Sequence, residues 1–308
     1  MTVRPHTPYE GTSDLDAVQD GTIEARITAA MTSYLGGALG WQKKDISDRI
    51  HRELTREIPL GVLSILSEAG LEVQGKTVLD LGSGLGALSS ELALRGARVL
   101  AVEPAAAWRA ITAARLPHAG SGVVVASVGE ALPFRSGTID LVVSLQVLEH
   151  VRDPQQVLCE VYRVLRPGGG FFLACENYLA FREQHYRVAW FPLLPKPIGS
   201  VYLRLRGRSP EFLRDAVTYI TLPGVLRMLS RAGFLRVREA EMVEKVRSPG
   251  KLKARWKRVV VGMLTRVVST TVLSWVWILL DTARRLFRIG IEELLKKPLD
   301  QHPSSQCR

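Results

Sequence analysis

The sequence predicts an α/β fold built on a doubly wound parallel sheet with helices on both faces. Residues 77–81 form a short apolar run that stops at a glycine-rich turn, residues 82–86, and a helical pattern of leucines follows the turn. Short apolar runs then alternate with helical patterns as far as residue 177, and this alternation is typical of parallel sheets. The run at 138–144 is nearly all apolar, as expected for a strand that is covered on both faces.

The spacing of the apolar residues predicts the individual elements. Helices are predicted at 46–57, where Pro59 ends the helix, and at 60–69, 154–165 and 221–232. Strands are predicted at 77–81, 98–102, 122–126, 138–144, 171–175 and 235–240. The aromatic-rich stretch 176–217 is too long for a simple connection, so it is predicted to be an insertion after strand five.

These elements divide the chain into three segments. Residues 1–45 are predicted to be an N-terminal extension that is partly disordered. The sheet domain is predicted to span 46–246, and Pro249-Gly250 marks the boundary to a tail, residues 247–308. The tail is predicted to be a basic amphipathic helix.

The chain carries a net charge of +11, and the tail holds most of it. Residues 245–308 contain 14 Lys and Arg against 4 Asp and Glu, a net charge of +10. Because a basic, partly apolar helix binds anionic lipid, we expect residues 251–288 to lie on an anionic membrane surface. The apolar run 259–280 is long enough to span a bilayer. Arg266 within it would cost about 2.5–3.5 kcal/mol there, which favours the surface position.

The cysteines and the N-terminus predict a cytoplasmic location, at the membrane face where the tail binds. Cys159, Cys175 and Cys307 form neither a C-x-x-C pair nor an even set. This argues against a disulfide framework or a zinc knuckle and fits a reducing compartment. The first 21 residues are polar and lack the apolar core of a secretory signal.

The glycine-rich turn predicts a ligand site. Glycines allow positive φ and let a ligand approach the backbone closely, at the positive end of the following helix. The spacing Gly82-x-Gly84-x-x-Ala87 fits the dinucleotide fingerprint. Glu103 follows about 20 residues later, where an acid binds ribose hydroxyls. The turn alone therefore leaves NAD and other nucleoside cofactors open.

Four further features carry a family resemblance. They are Asp80 just before the glycines, Glu130-Ala131-Leu132-Pro133-Phe134, the run from Ile139 to Glu149-His150, and Leu165-Arg166-Pro167-Gly168-Gly169. In this order and spacing, the chain resembles class I S-adenosylmethionine-dependent methyltransferases, most closely the small-molecule group that includes ubiquinone-type methyltransferases. The resemblance implies a Rossmann-like sheet, S-adenosylmethionine as the cofactor, and an insertion 176–217 that acts as a lid over the methyl acceptor.

The resemblance also implies which residues contact the cofactor. Asp80 would face its ammonium group, Glu103 would accept hydrogen bonds from the ribose hydroxyls, and Ser144 would lie near the methyl group. The backbone beside the methionine part and the residues flanking the adenine are implied to be Gly82, Ser83, Gly84, Val128, Gly129 and Glu130. Val128 departs from the Asp that many relatives carry at its position.

Two histidines are the candidate catalytic residues. His150 follows strand four beside the expected methyl position, and an imidazole titrates near neutrality, so it can act as a general base or simply order its loop. His185, in the insertion, is the alternative base or a packing residue. Ubiquinone-type relatives can carry Glu-x-x-Glu-His in a metal-linked role. Because Gln146 stands at the first of these positions, no metal is predicted.

The sequence therefore predicts a methyltransferase that acts on a small or amphiphilic, lipid-linked acceptor, with transfer to oxygen. One alternative is an RNA methyltransferase that uses the basic tail as an electrostatic arm. No RNA-binding module is recognisable, so nucleic acid is not the favoured partner. A second alternative is a membrane-associated protein that keeps the fold without turnover. The sequence predicts no oligomeric state.

Overall fold

A seven-stranded sheet forms the centre of the molecule. The computed structural model describes residues 21–117, 120–237 and 290–299, together with Arg285 and Cys307. The strands in these residues are β1 (Thr77–Leu81), β2 (Arg98–Val102), β3 (Gly122–Val125), β4 (Ile139–Leu145), β5 (Leu165–Glu176), β6 (Arg182–Glu183), β7 (Val188–Ala189), β8 (Leu235–Arg236) and β9 (Gly290–Lys296). The main sheet has the order β3-β2-β1-β4-β5-β9-β8, and β6 pairs with β7 in a separate hairpin. The five neighbouring strands β3, β2, β1, β4 and β5 run parallel to one another, whereas β9 runs antiparallel to β5 and β8.

Helices cover both faces of this sheet, which confirms the predicted doubly wound architecture. The helices in the described residues are α1 (Ile23–Thr32), α2 (Lys43–Leu54), α3 (Glu57–Glu68), α4 (Ala87–Leu94), α5 (Ala106–Arg115), α6 (Pro154–Val164), α7 (Lys196–Leu205), α8 (Glu211–Ala216) and α9 (Leu222–Ala232). Successive residues of a strand point to opposite faces. Leu79 accordingly packs in one apolar core with α6 and α9, whereas its neighbour Val78 packs in another with α3 and α4.

The topology brings the carboxyl ends of β1, β2 and β4 together. Asp80 of β1 lies between Ala101 of β2 and Val143 of β4. The chain leaves β1 toward β2 on one side and returns to β4 on the other side, so the connecting loops diverge at this point. Ligands of open α/β sheets bind in the crevice at such a switch point, and the candidate site lies there.

Two predicted boundaries are wrong for local reasons. Pro59 does not end a helix, because α2 ends at Leu54 and Pro59 lies in the first turn of α3. A proline is tolerated there, since the backbone N–H groups of a first turn have no partner within the helix. β5 begins at Leu165 rather than at Phe171, because Leu165 already pairs with Ile139 before a register shift.

The C-terminal segment adds a strand next to the edge of the sheet. β9 pairs with β5 from Gly170↔Lys296 to Glu176↔Gly290 and buries Ile291 and Leu295. The prediction that residues 247–308 form a helical tail is therefore wrong at residues 290–296, which form a strand. The alternation of apolar and polar residues that marks a strand is obscured here, because the charged Glu293 is also buried.

Most of the predicted membrane-binding helix, 251–288, lies outside the described residues, as does the predicted strand beyond residue 237. Arg285 is described and buried, and its guanidinium donates to Glu293 Oε1 at 2.6 Å. Among the helices that the structure describes, none has the length and apolar character needed to cross a bilayer.

The N-terminal extension packs on the domain well before residue 46. α1 and the π-helix Ser33–Ala38 bury Ile27 and Leu35 in an apolar core that contains Trp108 of α5. The predicted domain boundary is therefore too late in the chain. The first twenty residues, where disorder is expected, lie outside the described part.

The insertion 176–217 shares that same core. The β6–β7 hairpin, α7 and α8 contribute Tyr186, Trp190, Leu203 and Leu213 to it. The N-terminal helices and the insertion therefore form one layer.

A disulfide joins Cys159 of α6 to Cys307. The cysteine spacing argued against a disulfide framework and did not predict this bond, whereas Cys175 is free and buried in β5. The two bonded residues are separated by 148 positions in sequence, so short-range spacing did not reveal the pairing.

Candidate functional site

A cavity of about 920 Å³ lies at the carboxyl ends of the central strands. Its walls come from the glycine turn after β1, from N-terminal residues such as Tyr34 and Trp41, and from the insertion. The sequence-predicted residues that line it are Asp80, Gly82, Ser83, Gly84, Glu103, Val128, Gly129, Glu130, His150 and His185. The fold thus brings the predicted cofactor and catalytic residues to one cavity.

The glycine turn has no room for a side chain at Gly82 or Gly86. Gly82 has φ +74°, and a Cβ there would collide with the side chain of Val147. Gly86 has φ +80°, and a Cβ there would lie 2.7 Å from Thr112 Cα. The Ser83 hydroxyl is buried and has no hydrogen-bond partner among the described residues. A bare backbone beside an unsatisfied hydroxyl fits the methionine part of S-adenosylmethionine.

Asp80 is buried at the end of β1 and is held by α4. The hydroxyl of Ser89 donates to Asp80 Oδ2 at 2.6 Å. Burial raises the pKa of Asp80 to about 6, although the hydrogen bond from Ser89 acts in the opposite direction. In the part of the chain that the structure describes, no cationic side chain pairs with Asp80, and such a carboxylate suits the ammonium group of a ligand.

Glu103 links β2 to the glycine turn. Its Oε2 accepts from the backbone N–H of Gly84 at 3.0 Å, and its Oε1 accepts from Ala105 N–H at 2.9 Å. Burial raises the pKa of Glu103 to about 7 against these two hydrogen bonds. Each carboxylate oxygen has a second lone pair, so the predicted contacts with ribose hydroxyls remain open to it.

The predicted adenine end of the cavity contains Val128, Gly129 and Glu130. Glu130 Oε1 accepts from the backbone N–H of Arg152 at 2.9 Å. Glu130 therefore holds the turn before α6 as well as facing the cavity.

Ser144 is the predicted site residue that the structure places outside the cavity. It is buried within β4, and its hydroxyl has no hydrogen-bond partner among the described residues. Leu145 and Gln146 line the cavity instead. The reason is strand alternation, which turns Ser144 to the opposite face from Leu145.

His150 and His185 meet at the insertion side of the cavity. His150 lies in a short 3-10 turn after β4, and its Nδ1–H donates to the carbonyl oxygen of Ala216 at 2.8 Å. His185 lies in the β6–β7 hairpin, and its Nδ1–H donates to Glu183 Oε1 at 2.9 Å. The two Nε2 atoms are 3.3 Å apart, a distance that fits one hydrogen bond with one proton between the rings.

The electrostatic surroundings put that proton on His185. Burial alone would lower the pKa of His185, but the Glu183 carboxylate, with Glu176 and Glu149 nearby, raises it above its ordinary value. Burial and the charge of His185 together lower the pKa of His150. His150 is therefore the neutral ring and His185 the charged ring.

Two further carboxyls lie beside the histidines. With its amide NH₂ turned toward them, Gln146 donates to Glu149 Oε1 and Glu176 Oε1 at 2.8 Å each. Burial raises the pKa of Glu149 to about 7 and that of Glu176 to about 8. Gln146 adopts φ +57°, which is a strained conformation for a residue with a Cβ. In this conformation its amide contacts both Glu149 and Glu176.

Donor atoms of Glu149, His150 and His185 lie within 4.8 Å of one another. Such a spacing would allow one metal ion to contact all three. The sequence predicts no metal because Gln146 stands where relatives carry Glu. In the structure Gln146 is not a member of this group of three, and its amide donates to Glu149.

Glu183 is the main site residue that the sequence did not reveal. It is buried, and its carboxylate contacts His185 directly. Glu183 ends β6 and His185 lies in the turn that follows, so strand periodicity does not relate the two residues.

Comparison with known proteins places this site in a family. The sequence-family model described as "Methyltransferase domain" matches residues 79–173. A ubiquinone biosynthesis O-methyltransferase of Pseudomonas paraeruginosa is 41% identical over 126 residues, which cover 39% of this chain and 51% of that protein. A methyltransferase of Mycobacterium sp., named as uncharacterized, is 43% identical over 137 residues, which cover 44% and 53%. The chain thus spans about half the length of the curated relatives it matches.

Solved structures with lower identity are also similar. An S-adenosylmethionine dependent methyltransferase from Mesorhizobium loti is 17% identical with a TM-score of 0.46, covering 73% of this chain and 92% of that chain. Phosphoethanolamine N-methyltransferase 2 from Haemonchus contortus, solved with S-adenosylhomocysteine, is 14% identical with a TM-score of 0.48, covering 92% and 60%.

The family match begins in β1 and ends in β5, so it contains the glycine turn, Asp80, Glu103 and His150. The strand order around this segment places those residues at the switch point of a doubly wound sheet. The chain therefore contains a class I S-adenosylmethionine-dependent methyltransferase domain, with S-adenosylmethionine as its cofactor.

Proposed function

We propose that the protein methylates a hydroxyl oxygen of a small or lipid-linked acceptor that binds beneath the insertion 176–217. The observation that carries this proposal is the continuity of the cavity. Asp80 and Glu103 line it where the cofactor is expected, and His150 and His185 line it on the insertion side. A single cavity can therefore hold both reactants.

The charges of the cofactor end support S-adenosylmethionine. When bound, this cofactor supplies a methyl group attached to a positively charged sulfur. Asp80 and Glu103 are buried acids beside the glycine turn, and a cationic ligand favours their ionised forms. The residues that would hold the cofactor are Asp80, Gly82, Ser83, Gly84, Glu103, Val128, Gly129 and Glu130.

The histidine pair supports a hydroxyl as the acceptor group. A hydroxyl must lose its proton when its oxygen is methylated, and a positioned imidazole assists such a step. A hydroxyl that enters between the rings can donate to the lone pair of His150 Nε2, in place of the His185 Nε2–H that occupies this lone pair in the free protein. The positive charge of His185 stabilises the oxygen as the proton leaves for solvent.

Two observations support oxygen transfer and an amphiphilic acceptor. Relatives in the matched region are named ubiquinone biosynthesis O-methyltransferases. The insertion also exposes apolar side chains, of which Leu205 is 81% exposed. The others are Phe181, Phe191, Leu193, Ile198 and Val201. An exposed apolar group of this kind suits contact with a lipid-like acceptor or with the membrane that contains it.

The proposal is tested in two steps. Calorimetry should show binding of S-adenosylmethionine and S-adenosylhomocysteine but not of NAD. Transfer of a labelled methyl group is then measured on phenols and polyprenyl-linked alcohols, with mass spectrometry to locate the methyl. Methylated oxygen is the expected product. Cofactor binding with no methylated oxygen in any acceptor of the series would overturn the proposal.

Variants of two histidines sharpen the test. His150→Ala should lower turnover by about 10²–10⁴-fold with unchanged affinity for S-adenosylhomocysteine. His51→Ala is the matched control, because His51 is exposed on α2 and does not line the cavity. Equal turnover of both variants would exclude His150 from the reaction.

A further inference from the structure

We propose that Glu183 is a positioning residue that fixes the ring of His185 with Nε2 directed at His150 and keeps His185 as the charged member of the pair. This inference rests on the proposed function for its catalytic meaning, because the two histidines are placed there at the acceptor. The contacts that carry it are independent of any acceptor.

Glu183 is a carboxylate enclosed by donors. Its side chain is fully buried, at 0% exposure. Oε1 accepts from the Tyr178 hydroxyl at 3.0 Å and from His185 Nδ1–H at 2.9 Å, and Oε2 accepts from the backbone N–H of Tyr186 at 2.6 Å. An isolated buried carboxylate is costly by several kcal/mol, and these three hydrogen bonds offset that cost inside the insertion.

The contact with Glu183 decides which nitrogen of His185 faces the cavity partner. Because Nδ1–H is directed at the carboxylate, Nε2 is left to face His150 Nε2 at 3.3 Å. His150 is fixed in the same sense, since its Nδ1–H donates to Ala216. Both rings are therefore held from behind, and both present Nε2 to the same gap.

Glu183 also fixes the backbone that carries His185. Glu183 pairs with Val188 in the hairpin, and its contact with Tyr186 N–H spans the turn between the two strands. From outside, Trp41 donates to the carbonyl oxygen of His185 at 2.5 Å. The ring of His185 is thus supported through its side chain and through its main chain.

Other ionisable groups around His185 are placed differently. Glu149, from the turn after β4, and Glu176, at the end of β5, both contribute negative charge. Each accepts from the Gln146 amide, whereas Glu183 is the carboxylate in hydrogen-bond contact with the His185 ring among the described residues. The hydroxyl oxygen of Tyr178 lies 3.4 Å from His185 Nδ1, and this hydroxyl donates to Glu183. Glu183 is therefore the group whose replacement should change His185 most.

The first test is a nuclear magnetic resonance titration of the full chain with ¹⁵N-labelled histidine, without acceptor. His185 of the unaltered protein should remain charged above the ordinary imidazole pKa of 6.5. Glu183→Gln keeps the shape and removes the charge, so His185 should titrate about 1–3 pH units lower. Glu183→Asp should restore most of the shift. Glu211→Gln, in the exposed first turn of α8, is the matched control and should leave His185 unchanged.

Two results would overturn the inference. One is a His185 that titrates at or below the ordinary imidazole pKa of 6.5 in the unaltered protein, and this result needs no variant to fold. The other is a folded Glu183→Gln variant in which His185 titrates as before.

The second test uses turnover. Glu183→Gln should lower kcat by about 10–100-fold and shift the pH profile with His185, while the KM for the cofactor stays the same. Rescue by Glu183→Asp separates positioning from simple packing, and an equal kcat in Glu183→Gln would overturn the role. If the titration shifts as expected but no acceptor in the series is methylated, the acceptor assignment fails and the positioning of His185 by Glu183 remains.

Discussion

Glu103, directly after β2, accepts a hydrogen bond from the backbone N–H of Gly84 at 3.0 Å, so one carboxylate holds the turn that we propose contacts the cofactor. Glu103→Ala removes this support together with the expected ribose contact. We expect the affinity for S-adenosylhomocysteine to fall by about 10- to 150-fold, equivalent to about 1.5–3 kcal/mol. Glu103→Gln keeps one acceptor oxygen and should be intermediate. Calorimetry measures both, with exposed Glu72→Ala as the control, and a loss of less than twofold in Glu103→Ala would rule out the ribose contact.

The parts of the site that could be predicted from the sequence are local. Strand, glycine turn and helix follow one another within a few tens of residues, so Asp80, Gly82 and Gly84 could be located from spacing alone. Glu103 follows at the end of the next strand. The periodicity of the apolar residues sets this part of the fold, and the structure confirms its order.

The parts that could not be predicted depend on contacts between distant segments. β9 contains Glu293, which breaks the apolar pattern, and it is accepted in the interior because Arg236 and Arg285 pair with it. His150 and His185 were each recognisable, but their 3.3 Å contact depends on how the insertion folds onto the turn after β4. Nothing in the local pattern specifies such a contact.

The stability of the cofactor-free protein should depend on pH in a defined direction. Burial raises the pKa of Glu103 and Glu149 to about 7 and that of Glu176 to about 8, from an ordinary value of 4.5. The folded state then holds protons that the unfolded state has released, so the stabilisation present below 4.5 is lost as pH rises through the folded values. The raised pKa of His185 likewise lowers the free energy of unfolding as pH rises above 6.5. The lowered pKa of His150 has the opposite effect, because it increases the free energy of unfolding as pH rises toward 6.5.

We therefore expect the free energy of unfolding to fall between pH 6.5 and 8. Urea denaturation at a series of pH values measures it. Glu176→Gln should flatten the upper part of the curve, whereas the exposed Glu72→Gln should not. A free energy of unfolding that increases over this range would contradict the assignment.

The histidine pair is expected to work without a metal ion. A proton between the two Nε2 atoms already fits their 3.3 Å separation, and a metal would have to displace it from His185, where Glu183 retains it. Dialysis against EDTA should therefore leave methyl transfer unchanged, and elemental analysis should find less than one equivalent of metal. Loss of activity in EDTA, restored by Zn²⁺ but not in Glu149→Gln, would instead make Glu149, His150 and His185 a metal site.

Removal of the whole tail should unfold the domain. Truncation after Pro249 deletes β9, which occupies the position between β5 and β8. Ile291 and Leu295 are buried in the main core, and each contributes about 1.5–3 kcal/mol. A truncation after Leu299 keeps β9 and is the matched control. Thermal melting should show a cooperative transition for the control and none for the shorter chain, and a cooperative melt of the shorter chain would mean that β9 is dispensable.

Membrane binding must therefore be tested by substitution within the full chain, so that β9 remains. The basic cluster at the start of the predicted helix comprises Lys251, Lys253, Arg255, Lys257 and Arg258. Each basic side chain contributes about 1 kcal/mol near an anionic surface, and salt weakens this attraction. We expect the unaltered protein to sediment with anionic liposomes at low salt and to be released at high salt. Replacement of all five residues by glutamine should abolish sedimentation while the affinity for S-adenosylhomocysteine is unchanged. If the substituted protein sediments as well as the unaltered one, the attraction does not come from this cluster, and the exposed apolar side chains of the insertion become the surface to replace next.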